Sequence, residues 1–334
     1  MNLIRVKQIF KIAFPTIYRK LSSLKMIISK EINYRTPPKV DLNCANSFFG
    51  GPKGQYLISS GVGIFYYLNG ELHRLLFGSY YGMSYLNGRW YAYNRYSRHK
   101  NNSRIISFCV GLDKESINPK IEFRGLPSGC HQIDFIDNLL YITDSYNNRI
   151  IVFDPRIGKI INNYFPAGEL HNGRKSSNYV HCNSIFNDNG KFHLVFHNET
   201  KKTGKKSEIV SADDDFCIIS RHKTSAGNVH NIYRSNERTI YCNSHSGTLV
   251  VDDEEVFRCK YFTRGLSLSK DTVVVGGSEF ADRKNRETSR GAVFFLDIGY
   301  DLIFEIQMPA PVFEIRRVDK IDYCLSNSNS REVI

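Results

Sequence analysis

Three histidines stand at equivalent points of repeated sequence units, and their type and spacing could support chemistry. His131, His181 and His230 each open a segment in which a strand pattern, a polar turn and a second strand pattern follow one another. Neutral imidazole is a common ligand of transition metals, and three imidazoles facing one space leave a coordination position open for water or substrate. The pattern therefore predicts a divalent metal (Zn, Fe or Mn) held by these three side chains.

Other units place different side chains at the same position. Alignment of the units puts Arg264, Tyr81 and Phe313 level with the three histidines. The planar fork of an arginine can clamp a carboxylate, phosphate or sulfate, and a tyrosine can supply a hydroxyl, a role open to Tyr80 as well. Arg264 and Tyr81 are therefore predicted to act on a small polar or anionic substrate.

The turn after the second strand of each unit should lie on the same face as the histidines. Asp144 and Glu279 occupy such turns and are predicted to accept a hydrogen bond from a ligating imidazole or to act as a general base. Three further polar residues of these turns are candidates for the same rim: Asn147, Asn198 and His245.

A structural role for the histidines is the alternative. His131 shares its strand parity with Ile133 and Phe135, and His230 with Ile232, so each ring could be wedged between blades and hydrogen-bonded to backbone. Cys130 and Cys182 adjoin two of the histidines, but neighbours along a strand point to opposite faces, which argues against a Cys–His pair. The repetition of the histidines favours a shared site.

Seven similar segments supply the elements that would position these residues. They begin at Asn46, Tyr81, His131, His181, His230, Arg264 and Phe313. Most segments are followed by two further strand patterns, and four strands per repeat is the signature of a propeller blade. The sequence therefore predicts an all-β, seven-bladed β-propeller. Its last blade runs out of chain, and residues 26–33 are predicted to complete it as the outer strand; the alternative is a six-bladed ring with residues 313–334 outside it.

Composition agrees with an all-β fold and limits other classes. The chain has 334 residues, 41% of them hydrophobic and 13% aromatic, and 24 glycines suit strands joined by tight turns. The eight cysteines form no CxxC pair, so neither a zinc knuckle nor a dense disulfide framework is predicted. We found neither an apolar run that could span a membrane nor a signal peptide, and a cytoplasmic location is expected.

The first 40 residues are predicted to form a basic arm, with the propeller in residues 41–334. Residues 1–35 carry a net charge of +7 out of +12 for the whole chain. Apolar residues at helical spacing in this arm predict a short basic amphipathic helix, which could bring residues 1–25 into peripheral contact with an anionic membrane. The alternatives are that this helix packs on the outside of the propeller or frays.

One segment resembles a known family. DSYNNRIIVFD, residues 144–154, resembles an NHL repeat, and the chain is also similar to uncharacterised bacterial propeller proteins with histidines at blade starts. The resemblance implies a propeller, but not an activity, because this superfamily includes lyases, lactonases, sulfotransferases and binding modules. Peptide-amidating lyases are similar in having NHL-type blades and a three-histidine zinc site, and by that analogy His131, His181 and His230 are the matching positions; their reaction is not carried over.

Two functions follow from these observations. The first is a metal-dependent enzyme of hydrolase, lyase or epimerase type at the mouth of the propeller channel. The second is a non-catalytic scaffold that binds a protein or glycan through its rim. A monomer is expected, and no nucleic-acid partner, because the lysine-rich stretch 201–206 lacks interleaved aromatic residues.

Overall fold

A computed structural model describes residues 35–41, 45–96, 101–235, 238–281 and 289–327, together with positions 16, 24 and 285. The chain divides into two compact units, 1–37 and 38–334. The second unit contains 25 strands in the part of the chain that the structure describes. They form six antiparallel sheets, and the first strands of neighbouring sheets contact one another in a closed ring. The second unit is therefore a six-bladed β-propeller.

Five blades each consist of four consecutive strands, with the first strand nearest the axis. Blade 2 contains β5 Tyr80–Leu86, β6 Arg89–Asn94, β7 Ser103–Phe108 and β8 Lys120–Leu126. Blade 3 contains β9 Cys130–Ile136, β10 Leu139–Asp144, β11 Arg149–Asp154 and β12 Lys159–Tyr164. Blade 4 contains β13 Cys182–Asp188, β14 Lys191–Phe196, β15 Glu208–Ala212 and β16 Ile218–Lys223.

The remaining blades and short helices complete the unit. Blade 5 contains β17 Val229–Arg234, β18 Thr239–Asn243, β19 Thr248–Val251 and β20 Glu254–Arg258. Blade 6 contains β21 Phe262–Leu268, β22 Val273–Ser278, β23 Gly291–Leu296 and β24 Leu302–Met308. Short helices lie at Lys114–Ile117, Gly173–Lys175 and Thr200–Thr203.

Blade 1 closes the ring with strands from both ends of the propeller. Its order from the axis outward is β25 Val312–Arg317, β2 Gln55–Ser60, β3 Gly63–Leu68, β4 Glu71–Phe77 and β1 Ala45–Ser47. Strand β25 pairs antiparallel with β2 and also contacts the inner strands of blades 2 and 6. Closure of this kind joins both ends of the propeller in one sheet, so that each blade contacts a neighbour on both sides.

The prediction of seven blades is wrong, because the first and seventh sequence segments belong to one blade. A single strand such as β25 has two edges of unpaired backbone groups, and it satisfies one edge by pairing with β2. The six-bladed alternative gives the right number, but it wrongly leaves residues 313–334 outside the ring, since β25 is the innermost strand. The predicted N-terminal helix and the closing strand 26–33 lie outside the described residues, apart from positions 16 and 24. The closure that the structure describes is made by β25 instead.

Apolar side chains between the blades hold them together. Between blades 2 and 3, for example, Tyr93, Ile133, Phe135 and Leu140 are completely buried in one cluster. The first hairpin of blade 2 turns at Asn87-Gly88, where both residues have positive φ, as a two-residue hairpin turn requires. Turns of this kind fix the register of the two paired strands. The register decides on which face of the blade each side chain lies, and therefore which neighbouring blade it contacts.

The C-terminal segment covers one end of the central channel. The Ser326 hydroxyl donates a hydrogen bond to Asp134 of blade 3 (2.6 Å), and the Asn327 amide donates to the carbonyl of Tyr85 in blade 2 (2.7 Å). Asp322 accepts a hydrogen bond from Ser267 of blade 6 (2.8 Å). These contacts tie described residues of the C-terminal segment to three of the inner strands at the end of the channel opposite the strand starts.

Among the residues that the structure describes, no helix has the length and apolar character to cross a membrane.

Candidate functional site at the mouth of the central channel

The starts of the inner strands surround the open end of the channel. The six side chains at these positions are Tyr81, His131, His181, His230, Arg264 and Phe313. The ring centroid of His131 lies 5.3 Å from that of His181 and 6.4 Å from that of His230. The propeller therefore brings the three predicted histidines together, although they are about 50 residues apart in the chain.

A fourth imidazole, which we did not predict, completes the cluster. The ring centroid of His197 lies 4.8 Å from that of His181 and 5.1 Å from that of His230. His197 follows strand β14 and is next to Asn198, the residue of this turn that the sequence predicts for the rim. The position of His197 in the turn after a second strand was the signal that could have found it.

Arg264 is held at the centre of this face by two aromatic rings and a histidine. Its guanidinium carbon lies 5.0 Å from the ring centroids of both Tyr81 and Phe313, which stack on each other with centroids 4.3 Å apart. Its Nη2 donates a hydrogen bond to Nδ1 of His131 (2.8 Å). Cation–π and hydrogen-bond contacts fix the planar charged group next to the imidazole cluster.

Hydrogen bonds set the protonation of His131 and His197. Arginine can only donate, so Nδ1 of His131 accepts and the proton of the neutral ring lies on Nε2. The backbone N–H of Glu199 donates to Nδ1 of His197 (3.0 Å), which places the proton of that neutral ring on Nε2 as well. Both rings thus offer an N–H donor at Nε2.

His230 has the opposite arrangement. Its Nδ1–H donates to the carbonyl of Asn228 (3.0 Å) and to Oγ of Ser244 (2.8 Å), whose own proton is donated to the carbonyl of Thr263. Nε2 of His230 therefore carries a lone pair, and it has no hydrogen-bond partner among the described residues. His230 is the one ring of the cluster whose hydrogen bonds fix it as a base.

Burial keeps His131 and His230 neutral. It lowers the pKa of both rings well below the usual value, and the positive charge of Arg264 lowers them further. A proton donor at His131, a proton acceptor at His230 and a cation at Arg264 consequently stand side by side at neutral pH.

His181 is held in an unusual backbone conformation. Its φ is 53°, in the left-handed region that residues with a Cβ seldom occupy. Its Nδ1 lies 2.7 Å from the Tyr179 hydroxyl and 3.8 Å from a carboxylate oxygen of Glu199. Strain of this kind is concentrated at functional sites, because the surrounding structure must maintain it.

The rim on the His181 side is polar and internally paired. Glu199 forms ion pairs with Arg174 (2.7 Å) and Lys202, and Arg174 lies over the ring of Tyr146, 4.6 Å from its centroid. Arg174 belongs to the insertion between blades 3 and 4, whereas Glu199 and Lys202 follow strand β14. The two insertions are thus joined above this side of the cluster.

Beneath the histidines the channel narrows to a cavity of about 10 Å³. Its lining includes His131, His230, Arg264 and the buried carboxylate of Glu314. Burial raises the pKa of Glu314 to about 7 although Arg316 stands 3.2 Å away. A cavity of this size has room for about one water molecule, which matches one oxygen atom of a ligand.

Gly82, which lines this cavity, allows two inner strands to lie close together. A Cβ on Gly82 would lie 2.4 Å from the backbone nitrogen of Ile133, so only glycine allows strands β5 and β9 to approach each other here.

Two of the predicted rim carboxylates do not reach the histidines. Asp144 is buried and accepts hydrogen bonds from Asn147 (2.8 Å) and Arg149 (2.8 Å). Glu279 accepts from the backbone N–H of Arg290 (2.9 Å), which closes its own loop. Both carboxylates stabilise turns, so neither geometry suits the predicted role of orienting an imidazole.

The remaining rim candidates also serve the local structure. The Asn198 amide donates to the carbonyl of Lys206 (2.8 Å), and His245 is exposed. Tyr80 is fully buried between blades, with its hydroxyl donating to the carbonyl of Phe77 (3.1 Å). The Tyr81 hydroxyl accepts from Arg95 (2.6 Å) and stays at the mouth of the channel.

The two cysteines next to the histidines are buried in apolar clusters. Cys130 and Cys182 are free thiols whose pKa values burial raises. A thiol kept protonated in an apolar cluster is a poor nucleophile. This agrees with the expectation that the cysteines and histidines do not act as pairs.

The hydrogen bonds of the cluster do not suit the predicted three-histidine metal. A ligating imidazole must offer a lone pair to the ion, but Nδ1 of His131 faces a guanidinium and its Nε2 carries the proton. Across the described part of the chain, no group of three or more His, Cys, Asp or Glu side chains has the arrangement of a metal site. The arrangement is better suited to oxygen atoms of a ligand, which accept hydrogen bonds.

The low pKa of His230 predicts a pH-dependent stability. Below about pH 6.5 this histidine takes up a proton in the unfolded chain but stays neutral in the folded protein. The free energy of unfolding therefore decreases as the pH falls, by at most about 1.4 kcal/mol per pH unit for this one group. We expect the difference in unfolding free energy between the wild type and His230→Gln to shrink from pH 7 to pH 5 in urea titrations. Glu314, whose raised pKa has the opposite effect, is present in both proteins.

His245→Gln is the control for this measurement, since His245 is exposed. Its difference from the wild type should not change with pH. Parallel curves for the wild type and His230→Gln would contradict a neutral, buried His230.

Comparisons with known proteins show the fold only. No family model matches the sequence, and the search of curated proteins found no match. A chain of the nidogen/laminin complex is similar, with 11% identity, a TM-score of 0.57, and coverage of 81% of this chain and 98% of that chain. A protein of unknown function from Bacteroides caccae has 11% identity, a TM-score of 0.52, and coverage of 79% and 99%. The structural neighbours are β-propeller proteins, so the architecture is shared, while membership of the NHL family stays a prediction.

Proposed function

We propose that the protein binds a small anion rich in oxygen atoms at the mouth of the channel and acts on it as an acid–base enzyme of lyase or epimerase type. The observation that carries the proposal is the opposite protonation of two neighbouring rings. Nε2 of His131 carries a hydrogen, whereas Nε2 of His230 carries only a lone pair. The guanidinium of Arg264 is hydrogen-bonded to the ring of His131.

Arg264 and His131 supply the anion binding in this proposal. A carboxylate, sulfate or phosphate oxygen can accept from the guanidinium and from Nε2–H of His131, and hydrogen bonds to charged groups are the stronger ones. The ring of His197 lies on the other side of His230, with its Nδ1 accepting from the backbone N–H of Glu199. The narrow cavity admits one oxygen-sized group and keeps the rest of the ligand at the mouth.

His230 supplies the proton transfer. Its Nε2 can take a proton from a carbon or hydroxyl of the bound ligand, while its Nδ1–H stays bonded to Asn228 and Ser244. The electron pair left on the ligand moves to an oxygen, where Arg264 and the Nε2–H of His131 stabilise the negative charge. Loss of a leaving group from the neighbouring atom completes an elimination, whereas delivery of a proton from water to the opposite face of the same carbon completes an epimerisation.

The test combines ligand titration with nitrogen NMR. We expect acetate, sulfate or phosphate to bind saturably at one site per chain at pH 7, as measured by calorimetry. The ¹⁵N spectra of the histidine rings should show a protonated Nε2 for His131 and a protonated Nδ1 for His230. The variant His245→Gln, which removes an exposed imidazole, should leave both results unchanged.

Two results would overturn the proposal. Stoichiometric metal in the purified protein, with the metal bonded to Nε2 of His131, would favour the metal-dependent enzyme. Failure of every anion to bind, together with a partner that is lost on deleting residues 167–178 or 201–208, would favour the scaffold.

A further inference from the structure

Aromatic side chains lead outward from His230 on the side of blade 6. The ring centroid of Phe262 lies 5.3 Å from that of His230, and the centroid of Phe280 lies 6.0 Å from that of Phe262. Phe262 begins strand β21, and Phe280 follows the end of strand β22. The rings of Phe262 and Phe280 therefore form a line of contacts from His230, the proton acceptor of the proposed site, to the rim of the propeller.

Phe280 is strongly exposed for an aromatic residue. Its exposed fraction is 59%, whereas the aromatic residues between the blades are almost completely buried. Exposed apolar area is unfavourable in water, so covering this ring with an apolar group of a ligand would release free energy. A single exposed phenylalanine is common in proteins, but this one continues an aromatic contact that begins at His230.

The opposite rim differs in character. Next to His181 the rim is built from the ion pairs of Glu199 with Arg174 and Lys202. An apolar group placed there would bury charges without replacing their solvation. The two sides of the mouth therefore favour different parts of one ligand.

Arg264 lies two residues after Phe262 on the same strand, so the proposed anion contact and the aromatic surface are neighbours. We infer that the ligand is a small acid with an aromatic or apolar body, its anionic group at Arg264 and His131 and its body on Phe262 and Phe280. This inference rests on the proposed function and names the class of substrate for the same site.

The experiment compares acetate, phenylacetate and cyclohexylacetate as probes by calorimetry. Phenylacetate should bind the wild type more tightly than acetate. Phe280→Ala should weaken phenylacetate binding by about threefold to tenfold, the range typical of one aromatic contact, and leave acetate binding unchanged. Because Phe280 is exposed, we expect this variant to fold, and Phe280→Trp should retain the preference.

Ile298→Ala is the matched control, since Ile298 is 67% exposed and lies in the turn between β23 and β24. It should change neither affinity. Equal binding of acetate and phenylacetate to the wild type, or an equal loss of both in Phe280→Ala, would overturn the inference and leave the proposed function standing. If no acid binds at all, the proposed function fails first.

Discussion

A chain that ends at Pro311 is expected not to fold. The truncation removes β25, in which Val312 and Ile315 are completely buried, so it leaves the edge of β2 unpaired and removes the contacts of β25 with β5 and β21. It also removes the segment that covers the far end of the channel. Because a propeller blade relies on both neighbours for its apolar contacts, we expect loss of the cooperative thermal transition rather than a small shift. Circular dichroism with thermal unfolding measures this.

A point substitution tests the same closure without shortening the chain. Ile315→Asp places a charge in the blade interface and should reduce the unfolding free energy by more than about 4 kcal/mol, a large part of the 5–15 kcal/mol typical of a domain. Ile303→Asp is its control, because Ile303 is 54% exposed on the outer strand β24. A protein truncated at Pro311 that still unfolds cooperatively would show that blade 1 does not need its inner strand.

Arg264→Gln is expected to give the largest loss of ligand binding. The substitution removes the charge and the planar fork and shortens the side chain, and a hydrogen bond to a charged group contributes about 1.5–3 kcal/mol, so affinity for acetate or sulfate should fall roughly 10- to 150-fold. The same change should raise the pKa of both His131 and His230, since the positive charge of Arg264 lowers each of them. Calorimetry and the pH dependence of the ring nitrogen shifts measure the two effects.

Two further variants separate the charge from the geometry. Arg264→Lys keeps the charge but not the planar fork. Its affinity for acetate or sulfate should therefore lie between those of the wild type and Arg264→Gln. Arg221→Gln removes an arginine that is paired with Glu208 on an outer strand, and it should bind like the wild type. Unchanged affinity in Arg264→Gln would place anion binding elsewhere.

The enzyme and scaffold interpretations differ in the part of the molecule they depend on. The acid–base proposal depends on buried groups at the channel mouth, whereas a scaffold would depend on the exposed insertions around it. Loss of anion binding in Arg264→Gln is expected for the enzyme, whereas loss of a partner on deleting residues 167–178 or 201–208 is expected for the scaffold.

The repeat in the sequence predicted the β-propeller and the shared position of the histidines. A strand, a turn and a second strand are local patterns, and equivalent first residues of inner strands must meet at the axis in any closed ring. The position of β25 in the ring does not follow from local sequence patterns. It depends on backbone pairing with β2, more than 250 residues earlier in the chain, and the seventh segment was therefore counted as a blade of its own.

What the sequence by itself determined is the set of side chains that face the channel, because strand periodicity and the repeat fix their positions. What only the tertiary structure decided is the protonation of these side chains. The proton of His131 is placed by Arg264, 133 residues away, and that of His230 by Asn228 and Ser244. Such partners come from other blades and turns, and the chemistry of an imidazole depends on them; the same histidines that suggested a metal in the sequence thus become a donor and a base in the folded protein.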